Sequence, residues 1–395
     1  MLTPDYLSHV PDSVLAIVDD LVNDIQQDIA RRIAKAGLTP TAEWQMRRLA
    51  DIYGASEDAM RRIAKAAGLA EDEVRTLFKQ AGVEALRIDD AIYRSVGLSP
   101  IPLAQSPVLK AIMLQGADGA GARLYNYTHS LAQVSSAAMG ATIDRAYVQI
   151  MSGAFDQNTA IRRAVNDLAR QGFETITYPS GHKSHVEAVV RQLVTTGVNQ
   201  STAKLQLARL DEMDADLVEV SSHAGARPTH AVWQGGVYSV RGRTNGYDDF
   251  ADSTGYGTGD GLCGWGCRHS FFPYFEGLSK RAFSDDPARE YLGRDNDEMY
   301  AESQTMRRYE REVRASKREV ITLNAGMQAA PDDELKAQLW TDFSTASVKL
   351  KQRQQRLEDF TQTSGYARQR EREMVAGWDQ SVAMKASWAH RRSSV

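Results

Sequence analysis

The sequence has little cysteine and no long apolar run. Its 395 residues include two cysteines, which cannot form the disulfide framework of a secreted domain and fit a reducing compartment. No stretch approaches the ~20 apolar residues that a membrane-spanning helix needs. The first residues, MLTPDYLSHVPDS, lack the basic and then apolar pattern of a secretory signal. We therefore expect a protein made in a cytoplasm, with no membrane partner.

The chain also lacks an excess of charge of either sign. Its 47 Lys and Arg residues stand against 51 Asp and Glu residues, a formal net charge of -4. The chain as a whole therefore has no excess positive charge that would attract nucleic acid. Apolar residues make up 42% and charged residues 25%, values that are typical of folded globular proteins. The length corresponds to two or three domains with a sizeable buried core.

Hydrophobic periodicity predicts a helical bundle over residues 1–172. Apolar residues three or four apart predict a long amphipathic helix between Pro11 and Gly37. A further helix is predicted from Asn158 to Gln171. Glycine just past a helix end is a common stop signal, and four glycines that each follow a helix-favouring segment predict several short helices: Gly54, Gly68, Gly82 and Gly97.

A glycine-rich α+β domain is predicted over residues 173–284. The segments DLVEVS and GGVYSV alternate as strands do, while HVEAVVRQLVTTG and TAKLQLARLDEM predict two helices. Seven glycines between Asn245 and Gly266 predict an ordered loop within this domain. The mixture of short strands and helices is typical of an α+β domain.

Residues 285–395 are predicted to form long helices and a loose tail. Apolar stripes on MRRYEREVRASKREV and on the segment after Pro331 predict a helical hairpin with coiled-coil-like packing. The alternating acids and bases from Arg307 to Arg318 are typical of a solvated face with internal ion pairs. A helical piece around Tyr366 to Trp378 precedes the tail AHRRSSV. The fold class is therefore predicted as mainly α with a central α+β domain.

Residues that can carry chemistry concentrate in two stretches, SSHAGARPTHAVWQGGVYSV and STGYGTGDGLCGWGCRHSFFPYFEG. These stretches contain both cysteines and three of the eight histidines: Cys263, Cys267, His223, His230 and His269. Structural zinc sites use four Cys or His ligands. The candidate zinc set is His223, His230, Cys263 and Cys267, with His269 as a further donor.

A structural interpretation is preferred to zinc at these residues. The Cys-x-x-x-Cys spacing and the seven-residue histidine spacing match no common zinc motif. Cys263 and Cys267 are expected to be buried thiols in a glycine-rich turn. His230 and Arg268 are expected to bond to carbonyls or acids and so to lock the loop. No cofactor is therefore expected, and structural zinc is the alternative.

Two enzyme interpretations stay open as alternatives. A metal-dependent nuclease would pair His230 with an acid of the following loop: Asp248, Asp249, Asp252 or Asp260. An ADP-ribosyltransferase-like enzyme would use Arg227, Ser253, Thr254 and Glu276. Neither set has a recognised local spacing, and the run from Gly255 to Gly261 lacks the lysine of a phosphate-binding loop. We therefore predict a protein that is not an enzyme.

The two stretches, with LVEVS upstream and RRYEREVRASKRE downstream, resemble the minor capsid protein 2 family of tailed bacteriophages. The resemblance runs from the N-terminal helices to about Trp378. A looser similarity links the chain to the Mu-type head morphogenesis domain, and the matching positions are His230, Gln234, Gly235, Gly266, Cys267, Arg268 and His269. This chain has Gly266 where asparagine is usual and His269 where the Mu type has a second cysteine.

The resemblance implies a virion component in multiple copies inside the head, near the portal vertex. Its implied partners are the portal protein, the major capsid protein and packaged DNA, and its implied roles are head assembly and DNA packaging or ejection. Residues 1–172 would dock to the portal or capsid, and residues 173–284 would form the head-morphogenesis-like domain. Assembly would occur in the bacterial host cytoplasm. The alternative is a nuclease or an ADP-ribosyltransferase-like enzyme carried in the virion.

Overall fold

The computed structural model describes most of the chain. The described residues are 1–35, 42–119, 121–124, 126, 141, 145, 148–149, 156–172, 175–177 and 183–393. For residues 42–60, 175–177, 183 and 393 the backbone alone is described.

Helices make up most of the described residues. In chain order they are α1 (Pro4–His9), α2 (Asp12–Lys35), α3 (Ala42–Ser95), α4 (described over residues 107–119), α5 (Gln157–Gln171), α6 (Val186–Glu212), α7 (Pro228–Ala231), α8 (Phe250–Thr254), α9 (Pro287–Leu292), α10 (Asn296–Ala329), α11 (Asp333–Ser364) and α12 (Gln380–Ser393). Turns of 3-10 helix occupy Leu103–Gln105 and Arg370–Glu373. None of the helices in this described part of the chain is both long and apolar enough to span a bilayer.

The strands are short and form two antiparallel sheets. They are β1 (Thr175–Thr177), β2 (Lys183–His185), β3 (Leu217–Val220), β4 (Val237–Ser239) and β5 (Phe271–Pro273). β1 pairs with β2, while β3 lies between β4 and β5. The predicted fold class, mainly α with a small α+β region, is confirmed. Strand β5 was not predicted, because its three residues are all buried, so they do not alternate, and the last of them is a proline.

Contacts divide the chain into two compact units, each assembled from three separated stretches. Unit 1 comprises Met1–Leu15, Gly68–Asn126 and Ala188–Gln304. Unit 2 comprises Ala16–Ala67, Tyr127–Glu187 and Thr305–Val395. That residues 1–172, 173–284 and 285–395 are three independently folding regions stays a prediction.

The prediction of short helices ended by Gly54, Gly68 and Gly82 is wrong, because all three glycines lie inside α3. A glycine inside a helix costs about 1 kcal/mol relative to alanine. The apolar face continues in phase through Gly68 and Gly82, with buried side chains at Ile63, Ala67, Ala70, Val74, Phe78, Ala81 and Ala85. Burial of this face outweighs the local cost. Helix α3 does end just before Gly97, as predicted.

The two helices predicted from His185 onward are a single helix, α6. Val190, Val194 and Val198 are buried at four-residue intervals, so the helical period continues beyond Gly197. Residues 194–199 are all buried, which places this part of α6 in the interior of unit 1. A helix buried on several sides is a core element, and this one lies against the glycine-rich loop.

The C-terminal hairpin of α10 and α11 is confirmed in unit 2. Asp332 caps α11 by accepting a hydrogen bond of 2.8 Å from the Leu335 amide, just after the predicted start at Pro331. The predicted apolar stripe of α11 is largely buried: Leu335, Leu339, Phe343, Ala346, Leu350 and Leu357. The predicted spacing therefore identified the face that α11 buries.

The expectation of a solvated face from Arg307 to Arg318 is wrong for the second half of that segment. Arg314, Lys317 and Arg318 are buried. Lys317 donates a hydrogen bond of 2.6 Å to the Glu373 carbonyl, and Arg318 pairs with Asp19 of α2. These partners are distant in sequence, so the local charge pattern could not reveal them. Paired buried charges of this kind are costly to break from one side.

The predicted loose tail is wrong over the residues that the structure describes, because α12 extends to Ser393. Ala386 and Ala389 are buried, and the Trp388 ring lies 5.2 Å from the Trp340 ring of α11. The predicted helical piece around Tyr366 to Trp378 is reduced to one 3-10 turn. Residues 394–395 of the predicted tail lie outside the described part.

Glu219 is a buried acid at the centre of the three-stranded sheet. Its Oε1 atom accepts hydrogen bonds of 2.7 and 2.8 Å from the amides of Ala282 and Phe283. Burial raises the pKa of this carboxyl despite the two donors. The carboxyl therefore links the segment after β5 to β3. Its burial costs more free energy when the carboxyl is ionised than when it is protonated.

We expect Glu219→Gln to change the pH dependence of stability. With a folded-state pKa above the unfolded value, the contribution of Glu219 is fully present below the unfolded pKa and is lost as pH rises through the folded pKa. Glutamine keeps an acceptor but cannot ionise. The free energy of unfolding of the variant, relative to that of the natural protein, should therefore rise in urea titrations as pH increases from the unfolded-state pKa of glutamate, about 4.3, to the higher folded-state pKa. Glu276→Gln, at an exposed position, is the control. A difference that stays constant with pH would contradict this account.

Candidate functional site

Helix α7 and the turn after it place His230 and Gln234 in the interior of unit 1. Pro228 occupies the first turn of α7, where its missing N–H costs nothing. The amides of Trp233 and Gln234 donate to the His230 carbonyl at 3.3 and 3.1 Å, which continues the turn. Gly235 has a φ of +68°, and a Cβ there would clash with the Ser284 carbonyl. Glycine is therefore required at this position of the predicted motif.

The glycine-rich loop between α8 and β5 folds back on itself through backbone hydrogen bonds. The Leu262 amide donates to the Thr254 carbonyl at 3.0 Å, and the Trp265 amide donates to the Gly259 carbonyl at 2.7 Å. A side chain at Gly261 would clash with the Gly255 carbonyl. The predicted ordered loop is confirmed, and it places Cys263 and Cys267 in the apolar core of unit 1.

Two polar side chains of α6 hold the end of this loop. The Asn199 side-chain amide donates to the carbonyls of Cys267 and His269 at 3.0 and 2.9 Å. The Thr196 hydroxyl accepts a hydrogen bond of 2.9 Å from the Gly266 amide. Asn199 is fully buried, at 0% exposure. Sequence reasoning missed both residues, and the available signal was a polar pair three residues apart in a helix that also buries Val190, Val194 and Val198.

His230 and His269 each bond to an oxygen through Nε2. His230 Nε2 lies 2.9 Å from the Asp260 carbonyl, and His269 Nε2 lies 3.1 Å from Gln234 Oε1. The His223 amide also donates to Gln234 Oε1 at 3.1 Å, which identifies that atom as the oxygen. Since both partners are acceptors, each imidazole carries its proton on Nε2 and presents Nδ1 as an acceptor.

Aromatic rings surround the two buried histidines. The His223 ring stacks on the His269 ring at 4.6 Å between centroids with an interplanar angle of 18°. The Trp233 ring lies 4.7 Å from His230 and 4.9 Å from His269. His223 is half-buried, whereas His230 and His269 are 2% and 1% exposed. The rings therefore limit the access of water to the cluster.

Burial controls the electrostatics of the cluster. Desolvation lowers the pKa of His230 and shifts that of His269 well below its ordinary value, and the Arg227 charge adds to both shifts. Desolvation raises the pKa of the Cys267 thiol and that of the Cys263 thiol. Near neutral pH the rings are neutral and the thiols protonated, so neither cysteine is an activated nucleophile.

The structure brings together the potential ligand atoms of three of the predicted residues. One potential ligand atom each from His230, Cys267 and His269 lies within 4.8 Å of the other two, and all three residues are buried. Cys263 of the predicted zinc set instead donates its thiol hydrogen to Asn199 Oδ1 at 3.5 Å. Arg268 is half-buried beside this group. Whether the predicted site residues act together in function stays a prediction.

The residues of the two enzyme interpretations have separate local partners. Arg227 donates to the Trp265 carbonyl at 2.7 Å, and the Glu276 carboxylate accepts from the Tyr247 hydroxyl at 3.2 Å. Thr254 donates to the Phe250 carbonyl at 2.6 Å inside α8. Asp260 meets His230 through its backbone carbonyl rather than through its carboxylate. No hydrogen bond among the described residues therefore joins His230 to an acidic side chain of this loop.

Comparisons with known proteins agree with the resemblance seen in the sequence. The family profile described as phage minor capsid protein 2 matches residues 2–362. A structural protein of Lactococcus phage LL-H is 27% identical over 142 residues, which are 35% of this chain and 38% of that protein. This match therefore spans well under half of the relative's own length. No solved structure is significantly similar to the chain.

We expect Asn199→Ala to destabilise unit 1, because it removes the amide donor of the buried Cys267 carbonyl and leaves the His269 carbonyl with weak thiol donors alone. The expected loss in the free energy of unfolding is about 1–3 kcal/mol, measured by urea denaturation followed by tryptophan fluorescence. Gln200→Ala, at the exposed neighbouring position of α6, is the control, with an expected change within ~0.5 kcal/mol. Equal stability of the two variants would show that Asn199 does not hold the loop.

Proposed function

Because the chain belongs to the phage minor capsid protein 2 family, we propose that it is a structural component of the virion, located inside the head near the portal vertex. The family match over residues 2–362 carries this proposal. It includes the histidine cluster and most of the helices of both units, apart from α12. The proposed roles are head assembly and participation in DNA packaging or ejection.

The burial of the cluster supports a structural rather than an enzymatic role. A catalytic group must contact its substrate, but His230, Cys267 and His269 are 2%, 2% and 1% exposed. Their hydrogen-bond partners Gln234 and Asp260 belong to unit 1. The raised pKa of the Cys267 thiol also opposes nucleophilic chemistry. We therefore assign the cluster a structural role, in which its hydrogen bonds hold the glycine-rich loop in position.

The surface of unit 1 supports protein partners in preference to DNA. Large apolar side chains are exposed on the segments next to the cluster: Val232 at 82%, Trp265 at 56% and Leu278 at 70%. Exposed apolar and aromatic side chains are typical of protein interfaces. The net charge of -4 supplies no general attraction to DNA. The proposed partners are therefore the portal protein and the major capsid protein, with packaged DNA as a further contact.

Protease protection of purified heads tests the proposed location. Intact heads are treated with protease, and a matched sample is opened before the same treatment. We expect the chain to be present in multiple copies by quantitative mass spectrometry, protected in intact heads and cleaved in opened heads. Absence from intact particles, together with normal infectivity of a phage that lacks the gene, would exclude the proposal. Cleavage in intact heads would exclude an interior position.

Chemical cross-linking of the same intact heads tests the partners. We expect cross-links from this chain to the portal protein and to the major capsid protein. The control is a head preparation from a phage whose copy of the gene is interrupted, where those cross-links must be missing. Cross-links to tail proteins alone would contradict the proposed position at the portal vertex.

A further inference from the structure

Three donor atoms of the kinds that zinc prefers converge in the interior of unit 1. His230 comes from α7, Cys267 from the glycine-rich loop, and His269 from the segment just before β5. In tetrahedral zinc sites the metal–ligand distances place a nitrogen and a sulfur ligand about 3.6 Å apart. The observed distance from His269 Nδ1 to Cys267 Sγ is 3.7 Å. This pair is therefore already at the spacing that one metal ion would require.

The hydrogen bonds around the two histidines match those of metal-bound imidazoles. A histidine that binds a metal through one nitrogen usually donates the other N–H to a carbonyl or carboxylate oxygen. Here the Nε2 atoms of His230 and His269 bond to the Asp260 carbonyl and to Gln234 Oε1. Both rings thereby keep an unprotonated Nδ1, and both are fixed in orientation before any ion binds.

We propose that His230, Cys267 and His269 bind one Zn²⁺ ion, with a water molecule as the fourth ligand. On binding, the Cys267 thiol releases its proton to solvent, and the thiolate sulfur donates an electron pair to the metal. The two nitrogens and one sulfur select zinc over magnesium or calcium, which prefer oxygen ligands. The ion links α7 to the end of the glycine-rich loop, which carries Cys267 and His269. This inference does not depend on where the protein acts in the phage.

Cys263 provides a matched control for Cys267. Both cysteines are 2% exposed, and both belong to the same apolar core of unit 1. Cys263 lies outside the converging group, and its thiol donates to Asn199 Oδ1. A serine substitution replaces one buried sulfur atom with oxygen at either position. It removes a proposed zinc ligand only at Cys267.

Elemental analysis and cobalt substitution of the full chain test the site. We expect about one zinc ion per folded chain purified under reducing conditions, as the proposed single site requires. Replacement of zinc by Co²⁺ should give a thiolate-to-cobalt charge-transfer absorption. This absorption should persist in Cys263→Ser and be lost in Cys267→Ser. A chelator should lower the melting temperature of the natural protein and of Cys263→Ser, but not that of Cys267→Ser.

Two results would overturn the assignment. The first is a folded chain that contains no zinc and takes up neither Zn²⁺ nor Co²⁺ in the presence of a reductant. The second is an equal loss of the cobalt absorption in the two serine variants, which would show that Cys267 has no special part in binding. Neither result would affect the proposed position in the phage head, which the protease and cross-linking experiments address separately.

Discussion

The position of the glycine-rich loop depends on buried hydrogen bonds from α6. A segment with seven glycines between Asn245 and Gly266 has few apolar side chains with which to hold itself in a core. Asn199 and Thr196 supply the missing contacts by binding the backbone at Gly266, Cys267 and His269. A buried carbonyl without a donor costs about 1–3 kcal/mol, so these few bonds contribute strongly to the position of the loop that carries Cys267 and His269.

The histidine cluster of unit 1 and helix α10 of unit 2 both contain buried polar side chains that hydrogen bonds or ion pairs hold in place. In unit 1, Gln234 and Asp260 fix the two buried imidazoles. In unit 2, backbone and carboxylate oxygens fix the buried cations Lys317 and Arg318. Buried polar groups cost little folding free energy when all their partners are present. They cost much more when one partner is removed. Such pairing is compatible with the structural role that we propose for the chain.

Sequence patterns predicted the features that depend on local periodicity. The start of α11 near Pro331, its buried stripe and the approach of His269 to His230 and Cys267 all followed from residue type and spacing. The sequence did not predict that α3 is continuous, because a glycine is a local signal for the end of a helix. Burial of the apolar face stabilises the helix along its whole length and outweighs that signal. Asn199 was missed because its acceptors lie 68 and 70 residues away. The zinc spacing rules did not identify the three donors, because α7 supplies His230 whereas the end of the glycine-rich loop supplies Cys267 and His269.

Amide hydrogen exchange of the full chain tests most directly whether buried hydrogen bonds hold the loop. The amides of Gly266 and Cys267 donate to Thr196 and to the Gly264 carbonyl. The account predicts that they exchange as slowly as the Val220 amide of β3, because only opening of unit 1 exposes them. Exchange as fast as at the exposed Gly242 would contradict the account, since the loop would then open without the rest of the unit.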